Sequence, residues 1–381
     1  MNFTLAHRLN GIEKSLIRQV SDLAGPNAIP LGLGEPSFPT PQPLLEAARK
    51  FLEKGHVPYT PNAGLRELRE LIAKATGRGI DHNWVCVTVG GQEAIFIAML
   101  ALVNLGDDVL IPNPGYPAYR TVAKLLGANI VDLPLRAQNG FSVSAEDVER
   151  AVTLKTKLIF LNSPQNPTGA VDSASELQRI AQLIAKRDIW VISDEVYSRI
   201  YYGEAPISIA RFAEKAIVVD SLSKTFSMTG WRLGWVIAPP ELMQHLVALN
   251  QNAITCAPTV SQRVAMVALQ GAADTAVGEM RDEYRRRREI MMESVKKFVG
   301  RPYTEPRGAF YLWLDVSHAV QEYGSTLELA KELVKQKQTV VSPGIGFGSR
   351  GEGYLRLSFA AEPEQIREGV KRLGEFLNET V

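Results

Sequence analysis

The sequence predicts an α/β protein, its large domain a mostly parallel sheet of roughly seven strands sandwiched by helices, with a smaller α+β domain behind it. The first observation is a rhythm. From about residue 84, short β-branched runs alternate with helical stretches: VCVTV from Val85, DVLIP from Asp108, NIVDL from Asn129, KLIFL from Lys157, IWVIS from Ile189, AIVVD from Ala216 and GWVIA from Gly234. These runs are nearly continuous in Val, Ile and Leu rather than alternating with polar residues, the mark of strands covered on both faces. The second observation is a break in that rhythm near Thr275, where a long charged helix (GEMRDEYRRRREIMMESVKKF) begins. The third is size, since 381 residues exceed what one hydrophobic core usually serves.

The elements follow in order. A helix is expected from about Gly11 to Leu23, then the loop PLGLGEPSFPTP, and residues 1–38 read as an arm packed against the smaller domain. Residues 39–285 form the large domain. Within it the run Ala94 to Val103 (AIFIAMLALV) is too short to span a bilayer and suits a buried helix. Residues 286–381 form the small domain, with strand-like YLWLDV from Tyr311, TVVSPG from Thr339 and YLRLSFA from Tyr354.

Bulk properties exclude several function classes. A net charge of +1 leaves no excess of positive charge for nucleic acid or a membrane surface. Arg285 to Arg288 form a basic run, but the acidic residues on both sides point to a solvated helix face or a subunit contact. Cys86 and Cys256 sit among apolar neighbours and read as small core residues, not a disulfide framework. Five scattered histidines and no Cys/His cluster argue against a metal. The first residues lack the pattern of a secretory signal, so a cytoplasmic location is expected.

Ligands of open parallel sheets bind beyond the carboxyl ends of the strands. Three distinctive segments fall there: NSPQNPTG, SDEVY and SLSK. If the strands are real, Asn166, Asp194, Tyr197 and Lys224 meet at one edge. Lys224 follows a buried strand among small hydroxyl residues. It is either a strand-end lysine reaching for solvent or a buried amine whose lowered pKa lets it shed the proton and attack an aldehyde. Arg232, eight residues on, offers a planar fork suited to a phosphate dianion, and Ser221 and Ser223 offer hydroxyls. In TVGGQEAIFIAML a strand ends at Gly90 and Gly91 and a helix begins at once. That is either a tight turn or a phosphate cradle of unpaired N–H groups. Asp194 either caps a helix or pairs with a protonated pyridine nitrogen, which keeps such a ring an electron sink. Tyr197, three residues on, would share a helical face with it.

These residues carry a resemblance. SLSKTFSMTGWRLG resembles the lysine-attachment motif of the class I and II aminotransferases, which share the aspartate-aminotransferase fold (fold type I). The likeness runs from GLGEPSFPTP through YTPNAGLRELR, TVGGQEA, PGYPAY, NSPQNPTG and SDEVY to SPGIGFG and YLRLSFA. It implies pyridoxal 5'-phosphate as cofactor, held covalently by Lys224, which also moves the substrate proton. It implies Asp194 as partner of the pyridine nitrogen, Asn166 and Tyr197 as donors to the phenolic oxygen, and Gly91, Gln92, Ser221, Ser223 and Arg232 as the phosphate grip. Tyr116 resembles the aromatic that stacks on the ring. Arg356 resembles the clamp on the substrate α-carboxylate, helped by Gly34 and Asn166. Tyr59 resembles the tyrosine that reaches the phosphate of the neighbouring subunit, so a homodimer is implied. Alone, Tyr59 also reads as a turn aromatic, Tyr116 as a packing residue and Arg356 as an edge-strand charge.

The function so implied is transfer of an amino group from an L-amino acid to a 2-oxo acid, 2-oxoglutarate by analogy, in two half-reactions. The side chain of the donor is unread: aspartate, alanine, aromatic and diaminopimelate-type donors stay open. A lyase on the same fold would share Lys224, Asp194 and Arg232 and eliminate a group from the substrate instead. A ligand-sensing module without catalysis is the third reading.

Overall fold

The computed structural model describes residues 4–379. In chain order the strands are β1 (Ile29–Pro30), β2 (Val85–Thr88), β3 (Asp108–Asn113), β4 (Asn129–Pro134), β5 (Thr156–Asn162), β6 (Trp190–Asp194), β7 (Ala216–Ser221), β8 (Gly234–Ile237), β9 (Tyr303–Thr304), β10 (Tyr311–Asp315), β11 (Thr339–Val340), β12 (Ser342–Pro343) and β13 (Tyr354–Ser358). Each of the seven β-branched runs is a strand, and the seven form one sheet in the order β2-β8-β7-β6-β5-β3-β4. The pairs β3–β4, β3–β5, β5–β6 and β6–β7 are parallel, and only β8 runs against its neighbours β2 and β7.

The register explains the unbroken apolar runs. Alternate residues of a strand point to opposite faces. Val85, Val87, Leu110, Ile159, Leu161, Val191 and Val218 enter one core cluster. Their neighbours Cys86, Val109, Ile111, Leu158, Phe160, Ile192 and Val219 enter another. Both faces are buried, and helix Gly91–Leu102, which contains most of the apolar run from Ala94, lies within the second cluster.

A separate antiparallel sheet, β12-β13-β10-β9, sits on its own core with β10 and β13 side chains Tyr311, Leu312, Leu314, Leu355 and Leu357. Val20, Ile29 and Leu31 of the N-terminal segment belong to that core, and β1 pairs in parallel with β11. The N-terminal helix is shorter than its sequence suggested, Leu16–Ser21. Gly11 takes φ 74, and Ser15 is not yet helical (ψ 133), so the helix cannot begin earlier.

The charged helix spans Asp274–Ser294 and runs unbroken through position 286. Its arginines divide. Arg285 and Arg286 pair with Asp282 and Glu283 on the surface, as a solvated face would. Arg287 does not: it is 3% exposed, and donates to the carbonyls of Ala360 and Ala361, to Ser37 Oγ and to Glu283 and Glu362. The cysteines also divide, with Cys86 buried in β2 and Cys256 only half-buried in a turn. No helix among the described residues is long and apolar enough to cross a membrane.

Candidate active site

A cleft of about 540 Å³ opens beyond the carboxyl ends of the parallel strands, and β5, β6 and β7 each end in it. Gly34, Gly91, Gln92, Tyr116, Asn166, Asp194, Tyr197, Ser221, Ser223, Lys224, Arg232 and Arg356, all singled out from sequence, line it. Tyr59 does not: its side chain stands outside, 86% exposed.

The floor is set by register. Asn162 ends β5 directly beside Asp194, which ends β6, and Asn162 Nδ2 donates to the Asp194 carbonyl at 2.9 Å. The Asp194 carboxylate is buried and accepts from the Tyr119 hydroxyl at 2.6 Å and from the Val196 N–H at 3.3 Å. Burial pushes this carboxyl up to about 6, against the downward pull of the Tyr119 hydrogen bond. The chain then turns instead of starting a helix. Ser198 N bonds Glu195 O and Ile200 N bonds Tyr197 O, so a tight turn rather than a helical face brings Tyr197 beside Asp194.

Lys224 lies in the single helical turn Leu222–Thr225 that follows β7, begun by Ser221, whose Oγ accepts from Ser223 N. Its Nζ donates to the Gly34 carbonyl at 2.7 Å. Burial lowers this amine to about 8; Arg356 and Arg232 push the same way, and Glu35 and Asp194 oppose them. A lysine so placed gives up its proton more readily than a surface lysine does.

At one end of the cleft the helix Gly91–Leu102 points its N-terminus inward, where the first N–H groups have no helical partner. Gly90 caps it at φ 76, and a Cβ there would stand 2.7 Å from Arg232 Nη2. Only glycine lets that guanidinium come so near. Arg232 is exposed and bonds the Thr229 carbonyl at 2.9 Å and the Val89 carbonyl at 3.4 Å. Tyr116 donates to Gln92 Oε1 at 3.0 Å and lies edge-on to Tyr119.

At the other end Arg356 is 3% exposed. It donates to Asn166 Oδ1 at 2.9 Å, to the Gly32 carbonyl at 2.6 Å and to Ser342 Oγ at 3.0 Å, while its Nε is buried with no partner among the described residues. Burial lowers the guanidinium below its ordinary value, though not to the point of neutrality.

Several contributors were not visible in the sequence. Tyr119 reads as an ordinary aromatic on the helix Pro117–Leu125, yet it stacks on Phe160 and reaches Asp194. Tyr311 reads as a strand aromatic, yet its hydroxyl meets that of Tyr197. Ile17 and Arg18, from the short N-terminal helix, also line the cleft. No local signal marks them, because each is placed by contacts from far along the chain.

Comparison with known proteins agrees with this geometry. The model of the family described as aminotransferase class I and II matches residues 26–373. The chain is 36% identical to the aspartate aminotransferase of Pyrococcus abyssi, with 98% of each chain covered. It is also 36% identical, at the same coverage, to aromatic-amino-acid aminotransferase 2 of Thermococcus litoralis. Among solved structures, the aspartate aminotransferase of Thermus thermophilus with maleate superposes with a TM-score of 0.93 at 32% identity, covering 98% of this chain and 100% of that one. With one family model spanning nearly all of the sequence and relatives matching end to end, the protein belongs to the class I and II aminotransferases, enzymes that move an amino group between an amino acid and a 2-oxo acid.

Proposed function

We propose that this aminotransferase works with pyridoxal 5'-phosphate bound in the cleft and held by Lys224. The observation that carries the reading is convergence: one amine, one buried carboxylate and two guanidinium groups, from four separate segments, line one cleft. The donor set fits the group chemically. The free N–H groups at Gly91 and Gln92, the Ser221 and Ser223 hydroxyls and Arg232 suit a phosphate dianion, and the glycine at 90 leaves the room it needs. Asp194 suits a cationic ring nitrogen, the partner that a buried carboxylate otherwise lacks. Asn166 has its Oδ1 engaged by Arg356, which leaves its amide N–H₂ to donate beside Tyr197. Tyr116 supplies an aromatic face at the cleft wall.

When bound, the cofactor supplies an electron sink for the pair left on the substrate α-carbon. Everything else falls to the chain. Arg356 binds the substrate α-carboxylate through its fork, with Gly34 and Asn166 at its flank, and so fixes which α-bond is presented. Lys224, released when the substrate's amino group takes its place, would take the α-proton as a neutral amine and return it to the carbon on the far side of the substrate nitrogen, a positioned transfer worth roughly 10²- to 10⁴-fold. Asp194, held by Tyr119, would offer its carboxylate to the ring nitrogen. A homodimer is part of the proposal, because an exposed Tyr59 suits a role in a partner's cleft. The relatives named for aspartate and for aromatic amino acids make those the first donors to test, with 2-oxoglutarate as acceptor.

Lys224→Ala is expected to abolish amino transfer across an amino-acid panel with 2-oxoglutarate, and to remove the visible absorbance of covalently held cofactor. A variant that keeps both would mean that another amine does the work. Ammonia and pyruvate formed by the wild type without any oxo acid would instead favour the lyase.

A further inference from the structure

Tyr311 opens β10 with 1% of its surface exposed. Its hydroxyl lies 2.7 Å from that of Tyr197, with the two rings edge to face at 5.7 Å. Its ring face carries the Arg356 guanidinium at 4.3 Å. A Cβ on Gly34 would come within 2.5 Å of its oxygen, and the Gly34 carbonyl is the acceptor for Lys224. One side chain therefore touches the tyrosine, the arginine and the glycine that flank the amine.

A phenol has a single proton to donate. Tyr197 can direct it at Tyr311 or at a ligand oxygen, but not at both. If Tyr197 donates to the cofactor's phenolic oxygen, its bond to Tyr311 persists only with Tyr311 as the donor. We propose that Tyr311 is a positioning residue that donates its hydroxyl proton to Tyr197, turning the Tyr197 proton toward the phenolic oxygen and strengthening it as a donor. The inference rests on the role proposed above for Tyr197. Linked hydrogen bonds polarise one another, so the outer bond strengthens the inner one by about 10–30%. Both tyrosines are nearly buried, at 4% and 1% exposure, which limits the access of water to that hydrogen bond.

The test is the pH titration of the visible absorbance of the cofactor-loaded enzyme, with wild type, Tyr311→Phe, Tyr197→Phe and the double variant. A donor onto a phenolic oxygen favours its anionic form, so loss of the donor moves the spectral midpoint to higher pH. Tyr197→Phe is expected to raise the midpoint by about 1 pH unit and Tyr311→Phe by about 0.3. The double variant should rise no further than Tyr197→Phe alone, because Tyr311 acts only through Tyr197. Phenylalanine keeps a ring face under Arg356, so the amino-acid KM should hold while kcat falls. An unmoved midpoint in Tyr311→Phe beside a raised one in Tyr197→Phe overturns the proposal and leaves the Tyr197 role standing, as do additive shifts in the double variant. No shift in Tyr197→Phe removes both.

Discussion

Two of the arginines that line the cleft, Arg356 and Arg232, are held in opposite ways. Arg356 is buried, engaged by Asn166, Gly32 and Ser342, and sandwiched by Tyr311 and Phe347 at 4.3 and 4.9 Å. Arg232 is exposed, sits on left-handed backbone at φ 51, and among the described residues donates to two backbone carbonyls. The difference matches the two tasks proposed for them. An anchor for a phosphate can adjust, since a dianion is attracted from many directions. A clamp that decides which α-bond meets the amine must be fixed beforehand, because small misplacements of a reacting group are costly in rate.

Three substitutions probe that contrast. Arg356→Gln should do the most damage. It keeps a hydrogen-bonding group but loses the charge and the fork, and kcat/KM for amino acids should fall by about 10²- to 10³-fold, a loss of roughly 3–4 kcal/mol, as for one side of a buried charged contact. A loss of only a few-fold in steady-state kinetics would show that carboxylate recognition lies elsewhere. Tyr119→Phe should come next, at about tenfold near neutral pH, as expected for a hydrogen bond to a charged group of roughly 1.5 kcal/mol. It carries a pH signature with a definite sign. The Tyr119 hydroxyl favours the charged carboxylate, so without it Asp194 keeps its proton to higher pH than the present value of about 6. The acid limb of the kcat/KM profile should move upward, and an unmoved limb would separate Tyr119 from the charge state of Asp194. Arg232→Lys should do least. Charge remains and only the fork is lost, so cofactor affinity by equilibrium dialysis should weaken about fivefold, near 1 kcal/mol. A hundredfold loss there would make the phosphate end as rigid as the carboxylate end.

The sequence carried one side of this contrast better than the other. Asp194, Ser221 and Lys224 were legible because each stands at or just past the end of an unbroken β-branched run, and strand ends in such sheets converge. Gly91 was legible because a strand gives way to a helix there after only two residues, Val89 and Gly90. Arg356 lies in the middle of β13, where an arginine looks like an edge charge; only the resemblance pointed to it, and only folding buried it. Tyr119 and Tyr311 stayed hidden for a related reason. A tyrosine among apolar residues carries no mark of where its hydroxyl ends up, since the contact depends on elements 75 and 114 residues away. The N-terminal helix was overdrawn because its apolar spacing extends beyond the point where Gly11 and Ser15 hold the backbone out of helix. Arg287 was hidden inside a run whose neighbours are surface pairs.

Arg287 also bears on how such a molecule comes off the ribosome. It joins Ser37, 250 residues earlier, to the backbone at 360 and 361, while Arg356 reaches back 324 residues to Gly32 and Lys224 reaches back 190 to Gly34. A nascent chain halted after β8 would possess the amine, its seven-stranded platform and the Lys224 contact to Gly34, but neither Arg356 nor the Arg287 link from Ser37 to the backbone at 360 and 361. Synthesis order thus makes the carboxylate clamp proposed for Arg356 the final feature acquired, one that arrives only as the last strand and the opening segment are sewn together.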